Sequence, residues 1–177
     1  VGPFLGKKFD KKNAVMISTF LLAFFLCLPY FLRPFNLIPE NNTISLLIFY
    51  SITSFLGFTF LFSALVLSNS MMADVIDEYE VRMKNRSEAF FFATLSFAYK
   101  TTVGFGYFFA GILLKVIDFP SQAKSDEISE EVIFGLGLIN ALLFLTFVSS
   151  IFFLVKYPID KSMFKEIRAV LDKYNKK

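Results

Sequence analysis

The sequence contains no histidine and a single cysteine, Cys27, which lies inside an apolar run. These two scarcities exclude a disulfide framework, a Cys/His metal site and any histidine-dependent catalytic triad within the chain. Charge is also thin: 19% of the residues are charged, they are clumped, and long blocks carry none. A formal net charge of +3 is too small to suggest a nucleic-acid partner, and the basic residues sit beside apolar segments of membrane type. The first residue is Val1, and no signal-peptide pattern precedes the first basic cluster. The chain is therefore expected to be a fragment whose upstream part is missing.

What is abundant is apolar: 55% of the 177 residues are hydrophobic, and 26 are phenylalanine. A helix needs about 20 mostly apolar residues to cross roughly 30 Å of hydrocarbon. Four segments qualify: 14–32, 44–73, 89–114 and 132–155. The first two are uncharged, and the third is interrupted only by Lys100. None shows the regular polar face of a helix in a soluble bundle, and backbone groups in lipid must be satisfied within the segment, so all four are expected to be transmembrane helices.

The positions of lysine and arginine orient them. "GKKFDKK" holds four, the connection "DEYEVRMKNRSE" three, and the tail from Lys156 onward seven. The two opposite connections hold only Arg33, Lys115 and Lys124, and "DFPSQAKSDEISEE" is acidic besides. Both ends (1–13 and 159–174) and the connection 74–88 are thus expected in the cytoplasm. Pro34, Pro39, Asn36, Asn41 and Asn42 mark the first outside loop. Ser87 is placed to cap the third span with Glu88 in its first turn, and Pro158 stops the fourth. Beyond it Ile159, Met163, Ile167, Val170, Leu171 and Tyr174 recur at helical spacing among basic residues. That pattern describes an amphipathic helix, to lie on the inner leaflet or dock on a cytoplasmic surface.

Lys100 stands out. A lysine at a helix centre costs about 2.5–3.5 kcal/mol on insertion scales. The nearer end of its span is about 11 residues, roughly 16 Å, away, which is beyond the reach of a snorkelling stem. It should face a bundle interior or a wet cavity. Its own face supports this: Ala93, Ser96, Gly104, Tyr107 and Gly111 share it, while Phe91, Leu95, Phe105 and Phe109 lie opposite. Thr102, Gly106 and Ala110 add a small-xxx-small ridge. "GFGY" is no phosphate loop, since no strand precedes it. The lysine either holds helices together or lies in a transport path. No Asp or Glu lies at membrane depth in the four spans, so an acidic partner would come from helices outside this chain.

The charged connection "SMMADVIDEYEVRMKNRSEA" reads in two ways. A charge run is commonly a solvated surface. Asp74 and Asp77, three apart at a helix end, share a face and could also join Arg86 in a network that closes one side of a transporter.

The stretch "ADVIDEYEVRMKNRSEAFFFATLSFAYKTTVGFGYFFAG" resembles the signature between helices ten and eleven of the glycoside–pentoside–hexuronide:cation symporters. These belong to the major facilitator superfamily, and the melibiose permeases are their best-known members. The matching residues are Ala73, Asp74 and Asp77, then Arg86 and Glu88, then Lys100, Gly104, Gly106 and Gly111. "FLGKKFDKKNAVMIS" is similar to the loop before helix nine, with Asp10 where a glycine is common. "YPIDKSMFKEIRAVL" is similar to the exit from helix twelve.

The resemblance implies an all-α membrane protein whose four spans correspond to helices nine to twelve of a twelve-helix fold. The implied activity is not enzymatic. It is symport of a sugar or similar solute with Na⁺ or H⁺ by alternating access, in a cell membrane. Lys100 and Ser96 would serve cation and substrate coupling, and Asp74, Asp77, Arg86 and Glu88 a cytoplasmic charge network. Gly104, Gly106 and Gly111 would serve packing and flexing. No cofactor is implied beyond the coupling ion, held mostly by the missing amino-terminal helices, and no nucleic acid is a partner. With no tryptophan in the chain, stacking on a sugar would fall to Phe or Tyr. Two rivals remain: a membrane enzyme, for which the spans offer no histidine and no carboxylate cluster, and a four-helix accessory subunit.

Overall fold

Four helices long and apolar enough to cross a membrane follow one another along the chain. In a computed structural model, which describes residues 10–41, 43–120 and 128–174, they are α1 (Lys11–Leu32), α2 (Ile44–Met83), α3 (Glu88–Val116) and α4 (Glu130–Val155). A 3₁₀ turn, Arg33–Phe35, follows α1, and α5 (Lys161–Tyr174) closes the order. No strand occurs among the described residues. The first half of the basic leader, Asn42, Lys124 with its acidic surroundings, the last three residues and the Tyr174 side chain lie outside the description.

Helices α1, α3 and α4 cover the apolar runs 14–32, 89–114 and 132–155. The main difference is at α2, which does not stop at Ala73. It runs unbroken to Met83, for 40 residues in all, and only Lys84–Ser87 is left as a connection. At 1.5 Å per residue it is about 60 Å long, twice a hydrocarbon core. The reason is amphipathic: Ile76, Asp74 and Asp77 are buried in the extension, while Arg82 and Met83 are exposed. The charged residues that read as a loop are helical, with Asp74 and Asp77 on the buried face and Arg82 on the exposed one. Lys84 ends it with a left-handed backbone (φ 55°), its N–H donating to the Glu80 carbonyl at 2.8 Å. Whereas the buried Ser18 hydroxyl finds no partner among the described residues, several hydroxyls inside the spans turn inward on their own helix: Thr53, Ser63, Thr94 and Thr146 each donate to a carbonyl one turn back. That is how such groups are satisfied away from water.

Helix α1 is the centre, with α2 along one side and α4 along the other. Its buried residues are small or apolar, among them Ala14, Val15, Ser18, Leu22, Ala23 and Cys27. Gly57 of α2 packs tightly on α1: a Cβ there would stand 2.7 Å from Leu26 Cδ2. Helix α3 stands apart: none of its residues is buried, and its start meets the end of α2 through the Tyr79 and Phe91 rings, 5.2 Å between centroids. Helix α5 folds back onto the extension of α2.

Candidate functional site

The amino-terminus of α1 and the carboxy-termini of α2 and α4 meet at one end of the bundle, where α5 joins them. The lysines and arginines concentrate here, and this basic end brings Asp74 and Asp77 onto one buried face, each only 4% exposed. Their partners come from far along the chain. Lys11 donates to both Asp74 carboxylate oxygens at 2.7 Å. Arg168 of α5 lies 3.1 Å from Asp77 Oδ2, but its N–H is not aimed at that oxygen, so the contact is ionic rather than an aligned hydrogen bond. The Phe164 ring sits under both cations, 4.7 Å from Lys11 Nζ and 5.4 Å from the Arg168 guanidinium carbon. The geometry is that of cation–π contacts.

Two further groups lock this end. Tyr157 donates its hydroxyl to the Met71 carbonyl at 3.2 Å. Lys12 donates to the carbonyls of Val155 (2.6 Å) and Tyr157 (3.2 Å), closing the carboxy-terminus of α4 with a cation where the helix dipole favours one. Ile159, Ile167 and Leu171 pack with Val75, Val81, Met163 and Phe164. Much of the apolar face of α5 thus packs on protein, while Val170 stays exposed. Burial pushes the Asp74 carboxyl above its ordinary value, and Asp77 adds to this, while the hydrogen bond and charge of Lys11 pull it part of the way back. Burial, then the charges of Asp74 and Glu78, raise the Tyr157 phenol.

Arg86 does not contact the two aspartates. It pairs with Glu88 (3.0 Å) and Glu80 (3.4 Å) on the exposed turn that starts α3. The single network suggested by the sequence is therefore two: Asp74/Asp77 with Lys11 and Arg168, and Arg86 with Glu80 and Glu88. Ser87 occupies the cap position of α3, but its side chain makes no cap bond. Its carbonyl takes the first helical N–H groups instead, from Phe90 and Phe91. Lys11, Arg168, Tyr157 and Phe164 are members the sequence reading missed. The helical period put Arg168 on α5, but nothing local pairs it with a residue 91 positions earlier.

Lys100 and Ser96 lie one turn apart on α3, both exposed, and the described residues offer Lys100 no ion pair. A Cβ built on Gly104, Gly106 or Gly111 meets nothing within 4 Å. The small-residue stripe is open along its length. Among the described residues no three His, Cys, Asp or Glu side chains gather closely enough to hold a metal ion.

A model of the family described as MFS/sugar transport protein matches residues 1–161. The chain belongs to that family. No curated protein and no solved structure gave a significant match. A transporter of the major facilitator superfamily is an integral membrane protein, in agreement with the four apolar helices. Lys100 is the one lysine, arginine, aspartate or glutamate near the middle of a span among the described residues, where a charge is costly.

Proposed function

We propose that the chain supplies four spans of a cation-coupled symporter that carries a sugar or similar solute with Na⁺ or H⁺ by alternating access. The observation that carries this is Lys100: a cation midway along an apolar span, on a helix none of whose residues is buried by the other three. A charge at that depth needs a counter-charge, so the open face of α3 packs against further helices of the same polypeptide, which bring carboxylates to it. Ser96 adds a hydroxyl one turn away. Binding of cation and solute changes the charge balance around Lys100 and favours closure, which couples the two fluxes. Asp74 and Asp77 with their partners hold the basic end, which faces the cytoplasm of a cell membrane by the distribution of lysine and arginine. Arg86 and Glu88 fix the start of α3.

The test is cation-driven uptake by the full-length protein in membrane vesicles, with candidate glycosides screened by counterflow. Lys100→Ala should abolish concentrative uptake while the protein still reaches the membrane. Undiminished uptake by Lys100→Ala overturns the assignment. A lipid, rather than a glycoside, driving counterflow would redirect the solute class within the same superfamily.

A further inference from the structure

The end of the bundle opposite the basic cluster carries a cleft of about 930 Å³ between α1 and α4. Neither the family nor the proposed transport path gives it a role, and its chemistry does not depend on which solute is carried. Its lower part is apolar, lined by Phe31, Ile133, Phe134, Leu138 and Ala141 along the seam of two spans. Its mouth is polar. Arg33, the first residue after α1, lies there with a side chain only 21% exposed. A guanidinium carries five N–H donors in a fork that matches phosphate oxygens. Asn41 Oδ1 at 3.1 Å and Glu130 Oε1 at 3.9 Å both approach a single nitrogen of it, Nη2. Glu130 and Glu40 stand at the same mouth, two anions beside one cation.

Gly137 sharpens the reading. A glycine inside a helix costs about 1 kcal/mol relative to alanine. At Gly137 an added Cβ meets nothing within 4 Å, so no neighbouring helix explains the missing side chain. Gly137 borders the cleft, where its absent side chain leaves room along the seam.

We propose that this cleft binds a phospholipid with a primary-amine headgroup, of the phosphatidylethanolamine type, from the leaflet opposite the basic end. Its phosphate rests on Arg33, its ammonium on the carboxylates of Glu130 and Glu40, and one acyl chain lies along the α1/α4 seam over Gly137. The charge pattern selects the headgroup. An anionic lipid would meet two carboxylates without a cation to offer them. A choline headgroup carries charge but no N–H to donate.

The experiment places the full-length protein in phosphatidylcholine nanodiscs containing a small fraction of acyl-photoactivatable phosphatidylethanolamine, phosphatidylglycerol or phosphatidylcholine, with labelled peptides mapped by mass spectrometry. The ethanolamine lipid should label segments 30–35 and 133–141 at least threefold over the other two. Arg33→Gln should reduce this labelling to the phosphatidylcholine level. Gly137→Leu should lower it in the cleft and nowhere else. Glu130→Gln should erase the preference for ethanolamine over glycerol while phosphatidylglycerol labelling holds or rises, a change that misfolding does not produce. Equal labelling by the three lipids overturns the proposal, as does labelling indifferent to Arg33→Gln. So does a cleft protected by an added glycoside, which would make it a solute vestibule, or one left unlabelled because another helix covers it.

Discussion

Replacing Lys11 by methionine keeps most of the side-chain stem and deletes the ammonium that both Asp74 oxygens accept from. The Asp74 side chain is 6% exposed and that of Lys11 31%. Removing one partner of a fully buried pair costs about 3–5 kcal/mol, because the remaining charge has no compensation. Water reaches the Lys11 side of this pair, so the expected loss is smaller, about 2–3 kcal/mol. Asp74→Asn should cost less, roughly 1 kcal/mol, since it removes the buried charge and leaves Lys11 free to turn to solvent. The double variant should lose clearly less than the sum of the two.

The pH dependence is the sharper readout. Folded Asp74 already has its carboxyl above the ordinary value of 3.8, with Lys11 opposing the shift. Without Lys11 it rises further. A carboxyl raised on folding favours the folded state when protonated, so that contribution is complete below the unfolded value and is lost as pH rises through the folded one. The Lys11→Met deficit should therefore be largest at neutral pH and shrink on mild acidification, whereas Lys11→Met/Asp74→Asn should show no such recovery. Denaturant unfolding of the detergent-solubilised full-length protein at two pH values measures both. Equal deficits at the two pH values, or strict additivity in the cycle, would refute the assignment of Asp74 as a buried, Lys11-compensated carboxylate.

Three other perturbations test the same structure. Arg168→Gln should leave Asp77 without its cation and loosen α5, at a cost on the order of 1 kcal/mol because Arg168 is more than half exposed. Hydrogen exchange of α5 amides should quicken while the four spans keep their protection. Gly57→Leu should destabilise by about 1–3 kcal/mol through overpacking, since even its Cβ would stand 2.7 Å from Leu26. Adding Leu26→Ala should recover part of the loss in a thermal-unfolding assay. Asp160 accepts from the Met163 N–H at 2.8 Å and the Ser162 hydroxyl at 2.7 Å, and the Met163 bond leads in holding its carboxyl below the ordinary value. The cap it forms is present above the unfolded value and lost as pH falls through the folded one. The first turn of α5 should fray on acidification in the wild type, and at every pH in Asp160→Ala, as read by exchange at Met163.

The spans were legible because a bilayer imposes one simple demand, an uninterrupted apolar stretch, which local composition meets in view. The place of Lys100 near the middle of α3 was legible for the same reason. The extension of α2 was not: once a helix leaves lipid its outer face turns charged, and residues 74–83 then resemble a loop until their burial is known. The partners of Asp74 and Asp77 were hidden differently. Lys11 lies 63 positions away and Arg168 91, and each meets its aspartate only because α1 and α5 converge on one end of α2. The grouping of Arg86 with the aspartates failed on direction. The turn at Lys84 points Arg86 toward Glu80 and Glu88, away from the buried face.

The length of α2 has a mechanical consequence. Gly57, which packs tightly on Leu26 of α1, and Asp77 are 20 residues apart, about 30 Å along the axis of α2. If that contact serves as the pivot, a tilt of about 10° moves the Asp77 end by roughly 5 Å. Arg168 rides on α5, which packs against this extension and would move with it, whereas Lys11 belongs to α1, so the 2.7 Å Lys11–Asp74 pair is the contact that a displacement of that order would part. A small rotation of α2 about Gly57 would thus part Asp74 from Lys11 while leaving the Arg168–Asp77 contact in place.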